Sequence, residues 1–223
     1  MVKALFYKEW IKTKRIILLL AIIFAGGLVY TFINTAQMFR IGGAVQTWDN
    51  IILKDLDILP VIMQWAPLLA GLLVGFSQFI PEITNKRLKL TLHLPLPESK
   101  TISAMLLYGI LVLMVFFIVS FIVLLTGFCT YYPMEIVNAM LFRTTPWFLA
   151  GLVSYIFIAW VCLEPVWKYR ICYSFIAICI VSLFYINAKS GAYLPFIPYL
   201  IGFIIIAFSF PFFSTARFKD GAQ

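Results

Sequence analysis

One histidine, four cysteines and a sparse set of carboxylates are the side chains of this chain with the chemistry for catalysis or metal binding. His93 stands in the stretch NKRLKLTLHLPLPESK, residues 85–100, with no carboxylate beside it to orient the ring, so it reads as loop packing or a partner contact rather than a general base. Cys129, Cys162, Cys172 and Cys179 lack the C-x-x-C spacing of zinc and redox pairs; free cysteine packs as a small hydrophobe, and they read as apolar filling. Asp49, Asp55 and Asp57 surround Lys54 at irregular spacing, which suits a solvated loop better than a cation site. H-E-x-x-H, G-x-S-x-G and G-x-x-x-x-G-K-[ST] are all missing, so no catalytic, cofactor-binding or metal-binding residue is assigned and the chain reads as a non-enzyme.

The elements that would hold these residues are apolar. The chain of 223 residues is 63% hydrophobic and 12% charged, and its mean hydropathy is +1.01. Six segments carry no Asp, Glu, Lys, Arg or His: 16–34, 58–80, 101–127, 145–163, 171–187 and 195–213. Each approaches the roughly 20 residues that a helix needs to cross the hydrocarbon core. Their apolar runs are continuous rather than alternating, which predicts an all-α membrane protein in one domain, 1–223, instead of a barrel. The first run is long for a signal peptide and no A-x-A-like site follows it, so it is read as a retained span.

Basic residues of short loops stay on the cytoplasmic side. With an internal N-terminus, thirteen Lys and Arg residues fall inside and four outside, namely Arg40, Lys54, Arg143 and Lys189. This predicts an even number of spans with both termini cytoplasmic. The net charge of +8 is then a topology signal, and nucleic acid is not an expected partner. Residues 1–15 are expected to form an interfacial amphipathic helix, with Ala4, Phe6, Tyr7, Trp10 and Ile11 on one arc and Lys8, Glu9, Lys12 and Arg15 opposite; the competing reading is a plain extension of the first span. Residues 35–57 are expected to form a polar outer loop, and 129–145 a second outer loop with a short amphipathic run and Tyr131 and Tyr132 as anchors.

Within the apolar segments only packing signals remain. Gly71 and Gly75 make a GxxxG that would let two helices approach closely. Pro60, Pro67, Pro195, Pro198 and Pro211 are candidate kinks. Gln64 and Gln78 either line a path or join helices. The segment 81–100 is the most patterned polar stretch. Leu88, Leu90, Leu92 and Leu94 alternate with Lys89, Thr91 and His93, yet a lone strand would leave its backbone unpaired, so a short helix ending before Pro95 is expected. Such a helix offers leucines for docking and Lys86, Arg87 and Lys89 for orientation.

The chain resembles the permease subunits of ABC type-2 exporters. The resemblance lies in the helix LFYKEWIKTKR before the first span, in six spans with both ends inside, and in PEITNKRLKLTLHLPLPESK between spans two and three. That loop has the family's acidic residue, basic pair and Leu-rich run ending in Leu-Pro-Leu, here Glu82, Lys86 with Arg87, Leu88 to Leu94, and Leu94-Pro95-Leu96. It covers nearly the whole chain as topology and about 20 residues as motif.

The resemblance implies a cytoplasmic coupling helix that docks a separate ATPase through Glu82, Lys86, Arg87, Leu88, Lys89, Leu92 and His93. It also implies two copies of that ATPase, which bind ATP and Mg, a second permease chain in a homodimer or heterodimer, and a location among the lipids of a bacterial cell membrane. Spans one, two and five would lie nearest the interface between permeases, with Gln64, Trp65 and Phe76 as path-lining candidates. The segment AKSGAYL, 188–194, is shorter than the family's excursion before the last span and leaves the form of the outer gate open. The alternative reading is a membrane scaffold or sensor that recruits a cytosolic partner without moving a solute.

Overall fold

The computed structural model describes residues 2–54, 59–84, 97–186 and 193–219, and these are all-helical, with no strand among them. In chain order the helices are α1 (Val2–Lys54), α2 (Val61–Thr84), α3 (Glu98–Phe128), α4 (Met134–Leu163), α5 (Trp167–Leu183), a short 3-10 turn (Leu194–Phe196), α6 (Ile197–Ala207) and α7 (Phe210–Lys219). Among the described residues, five stretches are long and apolar enough to cross a membrane: Lys3–Gly43, Val61–Thr84, Ser99–Phe128, Met134–Leu163 and Leu194–Arg217. This is compatible with a multi-pass membrane protein.

Helix α4 is the hub. It packs on α2, α3, α5, α6 and α7, and 72% of its most apolar window is buried, against 22% for α1 and 11% for the last stretch. Its Ala150, Val153, Tyr155, Ile156 and Ala159 are fully enclosed. The other helices turn large apolar side chains outward, among them Ile171, Phe175 and Ile178 on α5 and Ile205 and Ile206 on α6. An apolar exterior around a packed, partly polar interior is the arrangement that hydrocarbon rather than water selects.

Several boundaries differ from the sequence expectation. Residues 2–15 are not a separate helix. Neither Gly nor Pro interrupts the sequence before Gly26, and α1 runs unbroken to Gly42. Its apolar arc faces outward, as a helix at a lipid interface requires, and its polar arc packs inward. Leu5, Glu9 and Thr13, spaced i,i+4, are buried against the bundle, whereas Tyr7, Trp10 and Ile11 of the expected apolar arc are about half exposed or more.

The expected loop at 35–57 is helical as far as Lys54, with a break at Gly43, whose φ of 72° only glycine adopts without strain. Thr47 ties the break by donating to the Gly43 carbonyl at 2.7 Å. Asp49 lies on this helix, exposed, while Asp55 and Asp57 fall outside the described residues. The expected outer loop 129–145 shrinks to the turn 129–133, because α4 starts directly after Pro133 and continues through Pro146. Tyr132 of that turn is buried against Phe39 and Phe128; burial pushes its hydroxyl up to about 12, so it stays neutral.

The expected span 171–187 corresponds to α5, 17 residues long. The expected span 195–213 is broken between α6 and α7 at Phe208 and Ser209. Pro211 accounts for the break, since it offers no N–H to the residue 207 carbonyl and its ring crowds it.

Candidate functional site

Three features gather the polar and apolar surfaces on which a function can rest. The first is a buried charge cluster where the start of α1 meets the end of α2. Glu82, two residues before the end of α2, is fully buried. It receives Lys8 Nζ at 2.9 Å and, in a shorter contact, Lys12 Nζ. Lys12 also donates to Glu9 at 2.7 Å, and Glu9 is itself buried. Two lysines thus neutralise two carboxylates, and one oxygen of each carboxylate, Glu9 Oε2 and Glu82 Oε2, has no hydrogen-bond partner among the described residues.

The cluster continues inward through hydroxyls and amides. Thr13 Oγ1 lies 2.7 Å from the Tyr108 hydroxyl on α3. One layer deeper, Gln78 Nε2 donates to the Met105 carbonyl at 2.7 Å, and the Tyr155 hydroxyl donates to Gln78 Oε1 at 2.9 Å. Four helices are joined in this way, by groups that hydrocarbon would leave unsatisfied if the helices parted.

The second feature is the α2–α4 contact. A Cβ on Gly71 would overlap the Gly151 carbonyl oxygen and Ser154 Oγ, and one on Gly75 would lie 2.8 Å from the Ile158 side chain. A Cβ on Gly151 would sit 2.5 Å from the Pro67 carbonyl oxygen. The GxxxG of α2 therefore packs backbone to backbone on α4 of the same chain.

The third feature is an apolar groove of about 570 Å³ walled by α2 and α5 with α4 as its floor. That volume falls in the range of roughly 300–1,000 Å³ typical of small-molecule sites. Leu68, Leu72 and Phe76 of α2 face Ala177, Ile178 and Val181 of α5 across it. One end is closed by Trp65 stacked on Tyr185, ring centroids 4.5 Å apart and nearly parallel. At the other end the lining stops at Ser174; one helical turn earlier, outside the lining, the Arg170 guanidinium lies 5.2 Å from the Trp167 indole centroid. Beside it, Glu164 is buried, accepting from Ser214 at 2.6 Å with Arg217 at 3.7 Å.

The residues singled out from the sequence are distributed unevenly over these features. Lys86, Arg87, Leu88, Lys89, Leu92 and His93 lie outside the described residues. Glu82 is inside the charge cluster rather than on a surface. Trp65 and Phe76 line the groove; Gln64 does not, although its backbone carbonyl accepts from the Tyr185 hydroxyl at 3.3 Å. Glu9, Lys12 and Glu164 went unassigned as site residues because they lie just outside the apolar windows 16–34 and 145–163. The stripe Leu5, Glu9, Thr13 was the available signal for the packed face of α1. Compared with protein families, curated proteins and solved structures, the chain shows no match.

Proposed function

We propose that the chain is the transmembrane permease subunit of an ABC exporter, crossing the membrane six times with both termini cytoplasmic. In this reading α5 is the fifth crossing, since 17 residues at about 1.5 Å each reach roughly 25 Å and a thinned or locally adjusted bilayer accommodates the remainder. Residues 81–100 dock the ATP-hydrolysing partner, two copies of which serve two permease chains.

The observation that carries the reading is the position of Glu82. It stands at the entrance to the docking segment and is held by Lys8 and Lys12 of α1, while its own helix presents Trp65 and Phe76 to the groove. A displacement of the docking segment by the ATPase is then transmitted to α1 through the ion pairs and to the groove through α2. A rigid helix and a neutralised charge cluster move as one body, which is what a permease with two packing arrangements needs.

Phe76→Ala and Trp65→Ala should each lower substrate-stimulated ATP hydrolysis by the reconstituted complex several-fold while leaving its basal hydrolysis in place. Gln64→Ala should act less, because that side chain does not line the groove. Wild-type stimulation in both aromatic variants would remove the groove from the path.

A further inference from the structure

We propose that the groove between α2, α4 and α5 holds an acyl chain of an anionic phospholipid, whose phosphate is bound by Arg170 and Lys168. The inference rests on the groove as a ligand site in a membrane protein, and it requires neither an ATPase nor a second permease chain.

Three observations fix the occupant as an anionic lipid. The groove offers an acyl chain an apolar channel: Leu68, Leu72, Phe76, Ile158 and Val181 line it, and its polar groups are a few hydroxyls and the Trp65 indole. Those of Ser154, Ser174 and Ser182 already donate to carbonyls of their own helices. A polar solute would find few groups to bond, the accepting lone pairs of these hydroxyls and the Trp65 indole N–H.

The shape is elongated. From Ser174 to Tyr185 the wall spans eleven residues, roughly 16 Å at about 1.5 Å per residue, and it is closed at the Tyr185 end by the Trp65 stack. An occupant therefore enters with its polar group at the Ser174 end.

That end is basic and interfacial. Counting 100° per residue back from Ser174, Arg170 and Trp167 lie on the groove-lining face of α5, and Lys168 lies on its exposed flank. Trp167 is 70% exposed, as expected of an indole at the headgroup level. Arg170 spends one Nη2 donor on the Glu164 carbonyl at 2.7 Å and its Nε is buried without a partner among the described residues, so the phosphate contact falls to the remaining Nη donors. The Glu164 carboxylate pairs with Arg217 rather than with Arg170: its Oε1 lies 3.7 Å from Arg217 and its Oε2 accepts from Ser214. Basic residues at the mouth of a lateral groove are the recognised chemistry for anionic headgroups.

The test is native mass spectrometry of the full chain in detergent, titrated with palmitoyl-oleoyl phosphatidylglycerol or with phosphatidylcholine of the same chains. The phosphatidylglycerol should bind about thirtyfold more tightly, the effect of two basic residues near an anionic lipid. Lys168→Gln with Arg170→Gln should bring it down to the phosphatidylcholine value. Lys168→Gln alone, at an exposed position that carries no packing, should lower phosphatidylglycerol binding about fivefold and decides the matter if the double variant fails to fold. Ser182→Trp, which fills the groove from its exposed rim, should abolish binding of both lipids, and glycerol phosphate should not compete. Equal affinity for the two lipids, unchanged binding in Lys168→Gln or Ser182→Trp, or displacement by glycerol phosphate would each overturn the proposal. Loss of lipid binding with groove-dependent ATP hydrolysis intact would leave the permease reading standing.

Discussion

Exchanging Lys12 for methionine should destabilise the protein by about 3–5 kcal/mol, the cost of breaking a buried ion pair from one side. Lys12 is 9% exposed and bridges two buried carboxylates. Without it Glu9 loses its ammonium partner and Glu82 keeps Lys8 alone, so two carboxylates face a single nearby positive charge. Methionine has a similar length and no charge, so the lost electrostatic attraction outweighs any change in packing. Glu9→Gln in the Lys12→Met background should recover part of the stability, because it removes the carboxylate left without compensation. Reversible unfolding in mixed micelles measures both. A loss below about 1 kcal/mol for Lys12→Met would mean that the cluster is solvated and does not clamp α1 to α2.

This cluster also marks the limit of what the sequence shows. The apolar windows locate α2 and α3 well and the C-terminal end of α4, since continuous hydrophobic runs have few other solutions in a bilayer. They fail at the ends. Val2–Arg15 looks amphipathic in the manner of an interfacial helix, with its apolar arc toward lipid and its polar arc toward water. In a membrane protein the outward face is the apolar one, and the polar arc of Lys8, Glu9 and Lys12 turns inward to meet Glu82. The partner lies 70 residues away, and no local pattern announces it.

The helix at 35–54 is hidden for a different reason. Its composition is that of a loop, and only the Gly42-Gly43 pair marks where the chain turns. For the candidate site, Trp65 and Phe76 are legible as two of the three large aromatics of α2, the third being Phe79, whereas the basic mouth at Arg170 is not. Arg170 counts in the sequence as one more positive-inside charge, and only the packing of α5 on α4 sets it one helical turn beyond Ser174, the last groove-lining residue on that side.

Gly151→Ala should destabilise by about 3 kcal/mol, at the upper end of ordinary overpacking, although it adds one methyl group. That carbon would lie 2.5 Å from the Pro67 carbonyl oxygen and 2.8 Å from Phe117 Cζ. The first neighbour is backbone and has no rotamer to retreat into, so α2 and α4 must separate. Their separation strains the Gly71 contact and the Gln78–Tyr155 hydrogen bond together. Gly26→Ala supplies the contrast. Gly26 sits in α1 with nothing within 4 Å of an added Cβ, so alanine there should stabilise by up to about 1 kcal/mol through helix propensity. Thermal unfolding in detergent distinguishes the two; equal melting temperatures would show that the α2–α4 approach is looser than the glycine contacts require.

The most direct test of the permease reading is purification of the tagged chain from its native membrane in mild detergent, with identification of what accompanies it. The same purification is repeated with Lys86, Arg87 and Leu88 replaced by alanine. A P-loop ATPase in stoichiometric amount, lost from the triple variant while the chain itself remains folded, is the predicted result. Recovery of the chain without any ATPase, even after crosslinking in the membrane, would contradict the account and favour a scaffold that recruits some other cytosolic partner.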